Sequence, residues 1–378
     1  MKHSLAIFGL WILCALTRPF RPPAKKISGQ PRRVLIVQMA KLGDMVCTTP
    51  LFRAVKKAYP GAHVAVLGNS LNRALLEYNS DIDAYLVFDG LWRVYKKIRK
   101  GKFDTAVIVE PDIVSAALSY LSLVPHIAVP RVVGGRTPFE SVWYRSLRGI
   151  AGFSVALHRM HHYAPGEYLR LLEPIGIQAT DTAKHLQFSD AALQKTREIL
   201  PKQAGLRYVG ISPSSGDKVK NWGSVNFAVL ANRLAERLSV RPVIFGAERD
   251  REEVEEMKKG MRCEYLDLSE KLSLDELKAA IAHLDLFVAS DTGPVYIAEA
   301  FGIPTVDVLG PVDEREQAPR GEKHLRVVPP GPRVPQMFIM NSEGYDLAEL
   351  KRQLSAISPE MVYEACAALL TKKDTLQL

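Results

Sequence analysis

The chain reads as an α/β protein built from two successive doubly wound halves, each a parallel sheet wrapped by helices. Short apolar runs alternate with helical stretches at βαβ spacing from Arg33 onward. The same alternation starts afresh at Tyr208, and 378 residues give room for about two domains with sizeable cores. Small polar turns follow several of the strands directly, at the edge where open parallel sheets take their ligands.

In the first half, Val34-Leu35-Ile36-Val37 is an unbroken apolar run, as a strand covered on both faces requires. Residues 38–44 form the turn and 45–58 the helix, which stops before Pro60. Strands are expected at 63–67, 84–88 and 105–109, with helices at 71–78 and 92–99 between them. An apolar helix at 116–124 and a short strand at 126–129 follow. Residues 130–152 read as a loop carrying Arg131, Arg136, Arg145 and Arg148 around Gly134-Gly135: either a solvated surface or an anion-reading wall, since guanidinium forks match carboxylate and phosphate. A helix is expected from His161-His162 to Glu173, ending at Gly176. The His pair lacks a carboxylate or cysteine at ligand spacing and fits packing or capping better than metal.

A polar strand and a charged helix over 180–205 lead into the second half. Strands are expected at 208–212, 242–245, 284–289 and 305–309, and helices at 225–237, 251–259, 274–282, 296–301 and 359–370. The domain plan is a segment at 1–31, one Rossmann-like domain at 32–185, a second at 186–356 and a terminal helix and tail at 357–378.

Composition narrows the class. An apolar fraction of 47% with 24% charged residues is that of a soluble globular protein. A formal net charge of +9 suits an acidic partner, but no run interleaves basic and aromatic residues as nucleic-acid binding favours. Cys14, Cys47, Cys263 and Cys366 are scattered without metal-ligand spacing and read as reduced thiols. Residues 5–16 are almost wholly apolar yet shorter than the roughly 20 residues that span a bilayer. Arg18, Arg21, Lys25 and Lys26 follow. A signal peptide is one reading, but Ala15-Leu16-Thr17 is a poor cleavage site; an uncleaved interfacial anchor on anionic lipid fits better.

The chemistry sits in the turns. Ser290-Asp291-Thr292-Gly293-Pro294 lies between an apolar strand and a helix, where Ser290, Asp291 or Thr292 caps the helix and Gly293 leaves backbone N–H groups open to a ligand. If the strands are parallel, the turns at 212–220, 246–248 and 291–293 share one sheet edge. Ser214, Ser215 and Gly216 then offer small donors, Lys220 a point charge, Glu248 a carboxylate for ribose hydroxyls, and Thr292 and Gly293 a helix start. That set describes a sugar-nucleotide diphosphate held without a metal. In the first half Asp44 follows Gly43 at the first turn. It caps the helix, or, if the halves face each other across a cleft, takes a proton from an attacking hydroxyl.

These residues carry a resemblance. Leu42-Gly43-Asp44-Met45-Val46-Cys47-Thr48-Thr49-Pro50-Leu51, Gly210-Ile211-Ser212-Pro213, Lys220-Asn221-Trp222, Gly246-Ala247-Glu248, Ser290-Asp291-Thr292-Gly293-Pro294 and Gly310-Pro311-Val312-Asp313 together resemble glycosyltransferase family 9, the lipopolysaccharide heptosyltransferases, over residues 32–372. The resemblance implies a GT-B fold, two Rossmann-like domains facing a central cleft. It implies inverting transfer of heptose from ADP-heptose to a Kdo-lipid A type inner-core acceptor, with no metal and no cofactor beyond the donor. It makes Asp44 the general base, sets Lys220 on the diphosphate and Glu248 on the ribose, and gives Asp291, Thr292 and Gly293 the heptose and phosphates. Tyr296, where the family usually has His, joins the donor side; Arg131, Arg136 and Arg145 meet the acidic acceptor. A Tyr cannot be cationic near neutral pH, and Gly223 stands where the family usually has Pro. The implied place is cytoplasmic, on the inner face of the cytoplasmic membrane. Alternatives are a GT-B transferase using another nucleotide sugar, an epimerase, or a non-catalytic sugar-nucleotide binder.

Overall fold

The computed structural model describes residues 2–21, 30–341 and 343–375. Two compact units divide the chain: Met1–Lys184 with Ile339–Asn341, and His185–Phe338 with Ser342–Leu378.

The first unit runs α1 (Lys2–Thr17), β1 (Arg33–Val37), α2 (Leu42–Ala58), β2 (His63–Gly68), α3 (Ser70–Leu76), β3 (Ala84–Val87), α4 (Leu91–Gly101), β4 (Thr105–Ile108), α5 (Ile113–Leu121), β5 (His126–Val133), α6 (Val142–Ala151), β6 (Ser154–Arg159) and α7 (Ala164–Leu169). Its parallel sheet has the order β3-β2-β1-β4-β5-β6. Winding reverses between β1 and β4, which makes their carboxyl ends the switch point of the sheet. Asp112 starts α5 by accepting from the N–H groups of Val114 (2.9 Å) and Ser115 (3.0 Å), and Ser141 starts α6 by accepting from that of Tyr144 (3.2 Å).

Several expectations change here. Residues 130–152 are not a loop: β5 continues through Arg131 to Val133, and α6 takes up Arg145 and Arg148. Charged residues on their exposed faces hide both elements in the sequence. The sequence reading omits β6, an edge strand whose Val155 and Leu157 face outward and so break the usual alternation. The helix expected from His161 begins at Ala164 and gives way to a 3-10 segment, Arg170–Ile175, that contains Pro174. The polar strand expected after Thr180 does not form. α1 lays Leu10 and Cys14 into the core shared by β1, α5 and α6.

The second unit runs α8 (Asp190–Ile199), β7 (Arg207–Ser212), α9 (Ser224–Leu238), β8 (Val240–Ile244), α10 (Arg251–Gly260), β9 (Leu266–Asp267), α11 (Leu274–Ala282), β10 (Leu286–Ala289), α12 (Gly293–Ala300), β11 (Thr305–Val308), β12 (His324–Val327), α13 (Leu347–Ser355) and α14 (Pro359–Thr375). Its sheet repeats the first topology as β12-β11-β10-β7-β8-β9, again parallel, with the reversal between β7 and β10. The short β9, the half-polar β12 and the charged α13 are absent from the sequence reading. α14 belongs to this core: Val362, Cys366, Leu369 and Leu370 pack with Val209, Leu286 and Val306, and the Trp222 indole N–H donates to the Ile357 carbonyl (2.7 Å).

Gly210 on β7 is closely packed on its missing-Cβ side. A Cβ there meets Leu284 Cδ1 at 2.5 Å, Phe287 Cδ2 at 2.7 Å and Phe245 Cε2 at 3.0 Å. Gly210→Ala is therefore expected to lower stability by about 1–3 kcal/mol through overpacking, read as a lower Tm in thermal unfolding.

Candidate functional site

Parallel pairing brings the second unit's turns together. Ala289 on β10 lies beside Ser212 on β7, and Ile211 beside Ile244 on β8, so the turns after all three strands leave from one edge. At their centre stands Asp291, with φ at +34°. A non-glycine residue holds that conformation only when its surroundings fix it, and here they do. Lys220 Nζ reaches Asp291 Oδ2 at 2.6 Å and its carbonyl oxygen at 3.2 Å. Tyr296 Oη donates to Oδ1 (2.5 Å), Ser215 Oγ donates to the carbonyl (3.0 Å), and the Asp291 N–H donates to Asp307 Oδ1 (2.8 Å).

Asp307, on β11, is fully buried, and burial reinforced by the Asp291 charge pushes its carboxyl well above the usual range. The shift disfavours a second full negative charge beside Lys220. Thr292 is the N-cap of α12 but makes no side-chain cap bond; Gly293 is the first helical residue.

The remaining donor-side residues divide. Ser214 and Ser215 are buried and spend their hydroxyl hydrogens inside the protein, Ser214 on Asp250 Oδ1 (2.8 Å) and Ser215 on Asp291. They hold the turn rather than offering donors to solvent, a correction whose cause is burial. Tyr296 is corrected in the same way: its ring is core, and its hydroxyl serves Asp291. Glu248 is exposed on a 3-10 turn after β8. Asn221 Oδ1, which accepts from the Ser215 N–H (2.7 Å), and Asp250, which accepts from the Ala247 N–H (2.9 Å), tie the turns together and were missed in the sequence.

In the first unit the β1/β4 switch point is acidic. Asp44 lies in the first turn of α2, whose N-cap is Lys41, so it does not cap the helix. Glu110 and Asp112 follow β4, and the Val109 N–H donates to the Val37 carbonyl (3.0 Å), which extends the pairing to this edge. Asp112 is committed to capping α5. Burial, then the charges of Asp44 and Asp112, push the Glu110 carboxyl up to about 8. Glu110 has no role in the expectations from sequence; its signal is a carboxylate placed directly after the apolar run of β4.

Arg131 on β5 and Arg136 beyond it are exposed near the same edge, while Arg145 on α6 donates to the Glu140 carbonyl (3.0 Å). Arg148 is half-buried in an ion pair with Glu140 (2.8 Å) and is structural.

Two parallel six-stranded sheets, each with polar groups gathered at its switch point, are the α/β architecture of GT-B enzymes. The model of glycosyltransferase family 9 (heptosyltransferase) matches residues 91–336, more than half the chain. The chain belongs to that family and is a glycosyltransferase. Lipopolysaccharide heptosyltransferase 3 of Escherichia coli (strain K12) is 27% identical over 286 residues, covering 72% of this chain and 80% of its own. A family 9 glycosyltransferase from Veillonella parvula shares the fold at TM-score 0.74 and 21% identity, covering 92% of this chain and 100% of its own. The E. coli ADP-heptose lps heptosyltransferase II does so at TM-score 0.71 and 20% identity, covering 90% and 99%.

Glu110 titrates with a definite sign. Its carboxyl is raised from 4.5 to about 8 in the fold, so its contribution to stability is complete below pH 4.5 and is lost as pH rises toward 8. The Tm of Glu110→Gln relative to the parent protein is expected to rise between pH 5 and pH 8; a constant difference contradicts the assignment.

Proposed function

We propose that the protein transfers a heptose from ADP-heptose to a lipopolysaccharide inner-core acceptor of Kdo-lipid A type, with inversion and without a metal ion. The observation that carries this reading is the Lys220–Asp291 pair beside the side-chain-uncapped start of α12, at the switch point of the second unit. A cation and a helix N-terminus are what a departing diphosphate needs when no metal neutralises it.

In the reaction an acceptor hydroxyl oxygen attacks the heptose anomeric carbon from the face opposite the diphosphate. Asp44 takes the hydroxyl proton, the new glycosidic bond forms, and the bond from the anomeric carbon to the diphosphate oxygen breaks. ADP leaves with the bonding pair. Lys220 meets the charge that develops on it, moving from Asp291 toward the phosphates. Glu248, exposed beside the second unit's turns, accepts from ribose hydroxyls, and Thr292 and Gly293 present backbone donors. Arg131, Arg136 and Arg145 serve the acidic acceptor. Since that acceptor is a membrane lipid, the enzyme works at the cytoplasmic face of the inner membrane; no helix among the described residues is long and apolar enough to cross one.

The test is ADP release in the presence of donor and acceptor. Asp44→Asn and Lys220→Ala are each expected to reduce turnover at least a hundredfold, the scale of a lost general base or charge stabiliser, while EDTA leaves the rate unchanged. Strict dependence on an added divalent cation overturns the metal-free account. Tight ADP-heptose binding without ADP release, with any acceptor, identifies a non-catalytic binder instead.

Tyr296→Phe keeps the buried ring but leaves Asp291 more fully on Lys220. It is expected to raise the donor KM three- to tenfold with kcat within twofold, about 1 kcal/mol, the worth of one hydrogen bond. Steady-state kinetics with varied donor checks this.

A further inference from the structure

α1 is apolar on all sides, yet the fold covers only one of them. Leu10 and Cys14 are buried in the first unit's core, and Ile7 and Trp11 pack against it. The Trp11 indole N–H donates to Ser146 Oγ on α6 (3.1 Å), and the Trp11 and Phe8 rings meet Trp143 at 5.5 and 5.1 Å. At the other end the Arg21 guanidinium donates to the carbonyls of Tyr120 and Val124 and sits 3.9 Å from the centre of the Tyr120 ring. These contacts fix which way the outer face points.

That face is a stripe of residues four apart. Phe8 is 40% exposed, Ile12 is partly exposed, Leu16 is 65% exposed and Phe20, on the 3-10 turn that follows, is 88% exposed. Leu13, beside the stripe, is 51% exposed, and Val142 at the start of α6 is 66% exposed. Isolated exposed apolar residues are common, but a continuous band of them marks an interaction surface.

Charge identifies the partner. Residues 1–43 contain no acidic residue; Arg21 and Arg33 spend their guanidinium groups on backbone carbonyls of the fold, which leaves Lys2, Arg18, Lys25, Lys26 and Arg32 ahead of β1, in a chain whose formal net charge is +9. Lys25 and Lys26 lie outside the described residues. An apolar band flanked by cations fits an anionic lipid surface, the apolar side chains entering the headgroup boundary while the cations meet lipid phosphates.

We propose that the Phe8–Ile12–Leu16–Phe20 face of α1 is a lipid-docking surface that seats the first unit on an anionic bilayer. It names the contact by which the proposed transferase would reach a membrane-bound acceptor, and to that extent rests on that reading.

The test is co-sedimentation of the full-length protein with vesicles of phosphatidylethanolamine containing phosphatidylglycerol, against vesicles of phosphatidylcholine alone. The parent protein is expected to bind the anionic vesicles at least tenfold more tightly, and to lose much of that binding in high salt. Leu16→Ser/Phe20→Ser is expected to weaken it at least tenfold, and Arg18→Glu severalfold, with Tm unchanged because all three side chains are exposed. Parent-like binding by the double variant overturns the proposal, as does failure of the parent protein to bind anionic vesicles. So does a lipid-free dimer that the double variant dissolves, because a second copy then covers the face. ADP release from a deacylated, water-soluble acceptor, measured on the same variants, is expected to be unchanged. Loss of release in the parent protein with vesicle binding intact counts against the transferase reading alone.

Discussion

The parallel register of β7 and β10 is the constraint on which the donor-side geometry depends. With Ala289 beside Ser212, the turns leaving the two strands start as neighbours, and only then can Lys220 reach both oxygens of Asp291 that it contacts. A one-residue slip turns every side chain of a strand to the opposite face. The register is held by packing, because every residue of β10 is buried and a slip would mismatch its side chains with their close-packed neighbours. Asp291 then takes a left-handed backbone conformation, stabilised from four directions by Lys220, Tyr296, Ser215 and Asp307. Burial and the Asp291 charge push the Asp307 carboxyl well above the usual range, which disfavours a second anion beside Lys220.

The first unit repeats the topology but not the electrostatics. Its switch point between β1 and β4 gathers Asp44, Glu110 and Asp112, and a capping role consumes Asp112. Burial, then the charges of Asp44 and Asp112, raise the Glu110 carboxyl to about 8, so that near neutral pH it adds little further charge beside those two. The same topology thus carries Lys220 beside the start of α12 in one unit and a cluster of carboxyl groups in the other.

The sequence made the buried strands and the turns after them legible, and hid what depends on distant contacts. Val34 to Val37 and Leu286 to Ala289 are unbroken apolar runs because helices cover both faces of their sheets, and such runs have no other common explanation. β6 and β12 lie at sheet edges, where half the residues face outward and the pattern weakens. Lys220 and Asp291 were readable as residue types at a sheet edge. That Tyr296 and Ser215 serve Asp291 rather than a ligand was not, since burial of a hydroxyl depends on packing between residues far apart in sequence. Glu110 is visible only as the end of a strand; its raised carboxyl comes first from burial and then from the charges of Asp44, more than sixty positions away in the chain, and Asp112.

α1 shows how one sequence feature can meet two demands. A helix apolar on every side cannot stand alone in water, and on composition alone it reads as an anchor. The fold satisfies half of it by packing Leu10 and Cys14 against α5 and α6, and the Trp11 and Arg21 contacts hold the helix in one rotational setting. The uncovered half is therefore presented rigidly, with its orientation already decided. A surface ordered in advance loses less entropy on docking than a free segment that must fold as it binds. Rigid attachment to the first unit also means that any plane the helix lies in fixes the tilt of that unit's sheet, and with it the direction in which the carboxyl edge carrying Asp44 opens.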